Sequence, residues 1–186
     1  TIVTHLDPTT VRGESSVSGS GITQKGLCWS TSQNPTIYNY HVESGTGEGV
    51  ISGYLSSLTP STVYFVRSYA TNEFGTAYGP ELSFISNSGL ATVTTKSPTL
   101  SGNQIITGGE VKDDAGTLVI DRGVCYGSSP KPNLSWSYEH TYDGYDTGKF
   151  TSYIPKPNSS GYVYIRAYAT TKYGTSYGNE VSIYVY

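Results

Sequence analysis

The chain has 186 residues, a formal net charge of −3 and only 13% charged residues. A negative net charge excludes a general electrostatic grip on phosphate backbones, so we expect no nucleic-acid partner. No apolar run approaches the roughly 18 residues that cross a bilayer, so we expect no membrane insertion. Eighteen Tyr, 22 Gly and abundant Ser and Thr are typical of strands joined by turns, and they indicate an all-β chain.

A long internal repeat sets the expected domain count. The segments RSYATNEFGTAYGPELSF (67–84) and RAYATTKYGTSYGNEVSI (166–183) are identical at 10 of 18 positions without a gap. Two further blocks match upstream: GLCWSTSQNP (26–35) with GVCYGSSPKP (123–132), and IVTHLDP (2–8) with TVTTKSP (92–98). A repeat of this length predicts two homologous domains in tandem. Because the first residue already lies inside a repeated block, we expect a mature or trimmed fragment.

The segment LTPSTVY, from Leu58 to Tyr64, leads into a strand of alternating residues. It resembles the corner of the fibronectin type III fold, where L-x-P-x-T-x-Y crosses between two sheets and the Tyr caps the crossing. The resemblance implies two tandem immunoglobulin-like, fibronectin type III-like β-sandwiches of about seven strands each, without substantial helix. The second copy departs from the motif, since Val163 stands where the corner Tyr is expected. Either Tyr162 or Tyr164 compensates, or that corner is remodelled.

A narrower resemblance comes from motifs of the second copy. They are RGVCYG (122–127) with the adjoining S-P-x-P, FTS (150–152), and YIRAYATxxYGTxYGNEVS (164–182). In this combination they are similar to fibronectin type III-like repeats of surface and secreted proteins of Bacteroidota. This resemblance implies an extracellular or cell-surface location.

The block around each cysteine resembles the third strand of that fold. The resemblance implies that four residues face the core: Leu27 and Trp29 in the first copy, and Val124 and Tyr126 in the second. Because side chains alternate along a strand, we expect Cys28 and Cys125 on the solvent side, partly covered by the adjacent Tyr-rich strand. The two cysteines occupy equivalent positions of separate domains, so we expect them to be unpaired with each other.

Period-two alternation predicts a hairpin over the longest repeated block. In the first copy we expect a three-residue turn at Glu73–Gly75, with Gly75 left-handed and Asn72 paired with Thr76. This register pairs apolar residues across the strands, Val66 with Leu82 and Tyr64 with Phe84.

The same register places charged residues opposite each other on the other face. Arg67 is expected opposite Glu81, and Arg166 opposite Glu180 in the second copy. These pairs could form a contact face or stiffen a solvent-exposed edge. Exposed ion pairs contribute about 0–1 kcal/mol, which favours a role in register and solubility.

The polar stretch SNSG (86–89) predicts the domain boundary, which gives domains at 1–87 and 88–186. A connector this short restricts the angle between two sandwiches, so we expect a rod-like pair with limited bending.

Aromatic and acidic residues are concentrated in one segment of the second copy, Ser135–Asp146. Sugar rings stack their C–H faces on aromatic rings, while their hydroxyls donate to carboxylates. The segment therefore contains a candidate glycan site, formed by Trp136, Tyr138, Tyr142, Asp143 and Asp146. The alternative is structural, because Tyr and Trp are ordinary strand residues that cover a sheet.

No set of residues in the sequence indicates catalysis. The three histidines, His5, His41 and His140, are scattered, and the last two occupy equivalent positions of the two copies. The acidic pairs Asp113–Asp114 and Asp143/Asp146 fit no known calcium loop. Motifs for phosphate binding, a CxxC pair and a nucleophile elbow are missing. We expect a chain without catalytic residues, metal site or cofactor.

These observations favour a non-catalytic extracellular module, a stalk, spacer or adhesive segment of a larger surface or secreted assembly. Its expected partners are neighbouring modules or other protein subunits. Two alternatives stay open, since one fold serves many roles. One is a carbohydrate-binding accessory module with a glycan partner, and the other is a fibre or decoration protein of a phage virion.

Overall fold

The regular structure of the chain consists of strands whose side chains alternate between a core and a solvent face. A computed structural model describes residues 1–135 and 138–186. The chain divides into two compact units, Thr1–Ser88 and Gly89–Tyr186. Alternation is clearest in the strand Gly148–Pro155, where Phe150, Ser152 and Ile154 are buried and the residues between them are exposed. Such strands bury one face of each sheet.

The first unit contains two antiparallel sheets. Its strands are β1 (Ile2–Asp7), β2 (Thr10–Val17), β3 (Gln24–Ser30), β4 (Tyr40–Glu43), β5 (Gly49–Leu55), β6 (Val63–Asn72), β7 (Gly75–Tyr78) and β8 (Leu82–Ile85). One sheet has the order β1-β2-β5, and the other has the order β4-β3-β6-β7, with β8 also paired to β6. The buried apolar cluster consists of Val11, Leu27, Trp29, Ile51, Leu55, Leu58, Tyr64, Val66 and Phe84.

The second unit has the same plan. Its strands are β9 (Thr92–Thr95), β10 (Thr99–Ser101), β11 (Gln104–Asp113), β12 (Val119–Gly127), β13 (Glu139–His140), β14 (Gly148–Pro155), β15 (Gly161–Thr171), β16 (Gly174–Tyr177) and β17 (Val181–Val185). One sheet has the order β10-β11-β14 with β9 on β11, and the other has the order β13-β12-β15-β16 with β17 on β15. The core cluster consists of Ala91, Val93, Ile105, Val111, Val119, Val124, Phe150, Ile154, Val163, Ile165, Ala167, Ala169 and Val185.

This arrangement confirms the predicted fold class, all-β with two tandem immunoglobulin-like, fibronectin type III-like β-sandwiches. The core residues implied for the third strand are also confirmed. Leu27, Trp29 and Val124 are buried, and Tyr126 packs partly buried against its core. The described residues form eight and nine strands rather than about seven per unit. One reason is that the last strand of each sandwich is divided in two.

The division of the last strand is a one-residue bulge. Asn72 pairs with Gly75, so the hairpin loop has two residues and the predicted three-residue turn is wrong. Further along, Val66 pairs with Leu82 as predicted. The two registers differ by one residue, which the chain accommodates between β7 and β8. The second unit contains the same bulge, because its register also shifts by one residue between β16 and β17.

The corner of the first unit is closed by two hydroxyl groups. Tyr64 Oη accepts the backbone N–H of Thr59 at 3.0 Å, as the resemblance implied, and the Tyr64 ring stacks on Phe84 at 5.9 Å. Ser86 Oγ donates to Thr59 O at 2.6 Å and accepts the N–H of Thr62 at 3.0 Å. Both hydroxyls therefore hold the peptide of Thr59 against the end of the core.

The corner of the second unit is remodelled. Val163 is buried in the core, but it carries no hydroxyl that could hold the connection before it. Tyr162 is exposed and Tyr164 is half-buried, and their rings lie 6.1 Å apart. Neither takes the place of the corner tyrosine, because strand alternation directs both to the face opposite Val163.

We expect Tyr64→Phe to lower the free energy of unfolding of the first unit by about 1 kcal/mol, because the N–H of Thr59 loses its acceptor while the ring is kept. Urea denaturation followed by tyrosine and tryptophan fluorescence measures the change. Tyr38→Phe, at an exposed tyrosine of the same unit, is the matched control and should leave the midpoint unchanged. Equal midpoints for the two variants would contradict a stabilising corner hydroxyl.

Candidate functional site

In the first unit, the loop after β3 is tied to the end of β7. Arg67 Cζ lies 4.7 Å from the centroid of the Tyr78 ring, and Arg67 Nε donates to Gly79 O at 3.0 Å. Tyr78 Oη accepts the backbone N–H of Ile37, which belongs to the loop, at 3.2 Å. A cation over an aromatic face is attracted by the ring's electrons, so the arginine holds the tyrosine in place for the loop.

Glu81 turns away from Arg67 and contacts the same loop. Its carboxylate accepts the backbone N–H of Asn34, a residue with a left-handed φ of 58°. The predicted Arg67–Glu81 ion pair is therefore wrong, and the ion pair found among the described residues is Arg12–Glu14. Glu81 lies in the connection between β7 and β8, where the bulge interrupts the strand pairing, so its carboxylate is not held opposite Arg67.

The second unit repeats these contacts, and the predicted Arg166–Glu180 ion pair is wrong for the same reason. We call the repeated arrangement the loop clamp, formed by Arg67, Tyr78 and Glu81 in the first unit and by Arg166, Tyr177 and Glu180 in the second. In the second copy, Arg166 Cζ lies 4.8 Å from the centroid of the Tyr177 ring, and Arg166 Nε donates to Gly178 O at 3.0 Å. Tyr177 Oη accepts the backbone N–H of Leu134 at 3.1 Å. Glu180 accepts the N–H of Lys131, whose φ is 59°.

The cysteine of each third strand donates to a backbone carbonyl, which belongs to the clamped loop in the first unit and to β15 in the second. Cys28 Sγ donates to Pro35 O in the loop at 3.4 Å, and Cys125 Sγ donates to Arg166 O at 3.4 Å. Both cysteines are free, which confirms that they are unpaired, but both are fully buried rather than partly covered. Burial raises the pKa of each thiol to about 11. A buried protonated thiol is a poor nucleophile, so neither cysteine is placed for catalysis.

Two equivalent tyrosines, Tyr69 and Tyr168, are buried beside the histidines that the sequence aligned. His41 meets Tyr69 edge-on at 6.3 Å, and His140 meets Tyr168 edge-on at 6.4 Å. These histidines are therefore matching packing positions. Tyr168 Oη lies 2.7 Å from Thr141 O, whereas Tyr69 Oη is buried without a hydrogen-bond partner among the described residues. Burial raises the pKa of both tyrosines.

The candidate glycan residues are placed differently from one another. Tyr138 is half-buried and its hydroxyl donates to Pro130 O at 3.0 Å, so its ring is held against the chain. Tyr142 is 66% exposed, and a ligand could reach its ring. Trp136 lies outside the described residues.

The two candidate carboxylates are hydrogen-bonded within the chain. Asp143 Oδ2 accepts from Thr141 Oγ1 at 2.6 Å and from Ser152 Oγ, and the side chain is partly buried. Asp146 is exposed, has a φ of 72°, and accepts the N–H of Thr147 at 2.9 Å. The segment thus brings Asp143 towards the sheet and leaves Tyr142 and Asp146 at the surface.

A groove lies at the corner of each unit, and sequence reasoning missed both grooves. In the first unit it has a volume of about 550 Å³, and Tyr64 is the buried residue of its lining. In the second unit it has a volume of about 480 Å³ and reaches two buried core residues, Val163 and Val185. The signal that could have found the second groove was present, because Val163 replaces the corner tyrosine.

Among residues 1–135 and 138–186, no group of three or more His, Cys, Asp or Glu is placed to hold a metal ion. That part of the chain also contains no helix long and apolar enough to span a membrane.

Comparisons with known proteins give a likeness at the level of structure. No protein-family model matches the sequence, and no curated protein matches it. The crystal structure of the chicken CNTN1 FN1–FN3 domains matches with a TM-score of 0.40 and 13% sequence identity. The match covers 98% of this chain and 64% of that chain, so this chain spans less than two thirds of its length.

We expect Tyr78→Phe to free the loop of the first unit, since Ile37 N–H loses its acceptor, at a cost of about 1 kcal/mol in the free energy of unfolding. The variant should also raise the rate at which iodoacetamide labels Cys28 in the native protein, measured by peptide mass spectrometry. Tyr177→Phe is the matched variant and should act on Cys125 instead. Equal labelling of both cysteines in either variant would contradict a local clamp.

We expect the free energy of unfolding to fall as pH rises from about 9 to about 11. The unfolded chain releases the thiol protons of Cys28 and Cys125 near their ordinary pKa of 9.0, while the folded chain keeps them until about 11. Fewer protons on the unfolded chain mean that stability falls with pH. Urea midpoints measured at pH 8, 10 and 11 check this. Replacement of both cysteines by Ala should reduce the slope, and the remainder is expected from Tyr69 and Tyr168, whose pKa burial also raises. An unchanged slope in that variant would contradict the assignment to the thiols.

Proposed function

We propose that this chain is a non-catalytic extracellular module that serves as a stalk, spacer or adhesive segment of a larger surface or secreted assembly. The observation that carries the proposal is that the two units share a structural framework. The hydrogen-bond distances of the loop clamp agree within 0.1 Å between the units. Arg67 Nε and Arg166 Nε each lie 3.0 Å from a glycine carbonyl oxygen. The distances from the loop N–H to the tyrosine hydroxyl are 3.2 Å in the first unit and 3.1 Å in the second. A role as a tandem structural module requires a framework that each module repeats, and it does not require a binding site.

Reactive side chains of this framework are used for packing. The thiols of Cys28 and Cys125 are buried, and the rings of His41 and His140 meet tyrosine rings edge-on. The thiols and the two imidazole rings thus have matching surroundings in both units, with the thiols buried and the histidines exposed. This repeated use supports a structural role over a catalytic one.

The sequence resemblance supports the location. Motifs such as RGVCYG and YGTxYGNEVS are similar to those of repeats in surface and secreted proteins of Bacteroidota. In this role the partners are neighbouring modules of the same polypeptide or other protein subunits. Each sandwich would act as a spacer whose framework sets the distance between its two neighbours along the polypeptide.

We expect an antibody raised against the chain to label intact cells that make the full-length protein, without permeabilisation. A cytoplasmic protein of the same cells is the control for lysis. In force spectroscopy, the chain should give two separate unfolding events, each releasing roughly 300 Å of polypeptide. Labelling that requires lysis would contradict the extracellular location, and extension without force peaks would contradict the role of spacer.

A further inference from the structure

Both units have a groove at this corner, but the second unit lacks the two hydroxyl groups that hold the connection in the first. In the first unit the hydroxyls of Tyr64 and Ser86 hold the Thr59 peptide over the core. The repeat aligns these two residues with Val163 and Val185, which have no hydroxyl. The cleft of about 480 Å³ lies at this end of the second unit, and both valines belong to its lining.

Two further aromatic positions beside this corner differ between the two copies. The repeat aligns Phe84 with Ile183, and Trp29 with Tyr126. In each case the second unit has the smaller side chain, since isoleucine replaces phenylalanine and tyrosine replaces tryptophan. Less aromatic ring volume is therefore present at the end of its core. The residues around this corner thus differ between the two units, whereas the loop clamp is the same in both.

The cleft combines an apolar floor with polar walls. Val163 and Val185 form the floor, and the ring of Tyr126 lies beside them. Tyr126 Oη donates to Glu139 Oε2 at 3.2 Å, which leaves the carboxylate able to accept further hydrogen bonds. Asn158 also lines the cleft, as part of the segment Pro155–Gly161. A volume in this range is typical of small-ligand sites, which pair apolar surface with a few polar groups.

The walls carry little net charge. Glu139 is the acid of the lining and Lys156 is its base, and the other polar groups there are serine hydroxyls and the amide of Asn158. An anionic ligand would face the carboxylate as well as the single amine. A neutral ligand rich in hydroxyl groups matches this mixture of donors and acceptors better.

Exposed tyrosines extend from the edge of the cleft. Tyr162 lines the cleft, its ring meets Tyr184 edge-on at 5.1 Å, and Tyr184 meets Tyr186 at 5.0 Å. Their side chains are 55%, 43% and 87% exposed in that order. The repeat aligns them with Val63, Ile85 and Asn87 in the first unit, so this row of rings is particular to the second unit.

We propose that the corner cleft of the second unit, with Tyr162, Tyr184 and Tyr186, binds a neutral oligosaccharide. One sugar would enter the cleft, with hydroxyls donating to Glu139 and accepting from Asn158. The following sugars would lie against the exposed tyrosine rings, whose faces suit the C–H surfaces of a pyranose. This site shares Glu139 with the segment Ser135–Asp146 but uses none of the candidate residues Trp136, Tyr138, Tyr142, Asp143 and Asp146. It adds recognition to the structural role without depending on it.

The test is a glycan array followed by calorimetric titration of the strongest neutral oligosaccharide with the full chain. We expect Tyr162→Val and Tyr184→Ile, which introduce the residues of the first unit, to weaken binding about tenfold each. Glu139→Gln should weaken it by a similar factor, because the carboxylate loses charge as an acceptor. All three positions are at the surface, so melting temperatures should stay close to that of the wild type.

Tyr153→Val, at an exposed tyrosine of the other sheet, is the matched control and should bind as the wild type does. Absence of any neutral oligosaccharide hit would overturn the proposal while leaving the structural role intact. Binding that is lost in Tyr142→Ala but kept in Tyr162→Val would assign the glycan to the Ser135–Asp146 segment and overturn the cleft. Binding of peptides alone, from a peptide array run in parallel, would also overturn it.

Discussion

Each sandwich depends on the one-residue bulge that divides its last strand. In the first unit the bulge leaves Gly79 O facing Arg67, so the arginine can bind a carbonyl oxygen and lie over the ring of Tyr78. It also releases Glu81 from the position opposite Arg67, and the carboxylate then reaches the backbone of the loop after β3. The loop in turn covers Cys28 and closes the outer face of the sheet.

The sequence was sufficient for those features that depend on side-chain alternation. The fold class, the core positions of Leu27 and Trp29 and the pairing of Val66 with Leu82 all follow from alternation or from the corner motif. The hairpin tip was wrong by one residue, because a bulge changes pairing without changing which side chains are apolar. The error is confined to the tip, since the bulge restores the predicted register before Val66 is reached.

Contacts made by the backbone were not predictable from residue types. Cys28 was placed on the correct face, but its complete burial depends on a loop whose position is fixed by N–H groups of Ile37 and Asn34. Such groups are present in every residue except proline, and they leave no mark in the sequence. The corner cleft is different. Its signal was the replacement of a corner tyrosine by Val163, but the size and lining of the opening needed the surrounding chain to be in place.

The buried hydroxyl of Tyr69 makes the two units unequal. Its counterpart, Tyr168, lies 2.7 Å from Thr141 O, whereas Tyr69 Oη has no hydrogen-bond partner among the described residues. Burying an unsatisfied donor costs about 1–3 kcal/mol, and the first unit alone bears this cost. Neighbouring modules of similar sequence can exchange strands when both are open at once, which is a common route to misassembly in repeat proteins. A cost borne by the first unit alone would separate the opening of the two units in temperature and in force, so that both are less often unfolded at the same time.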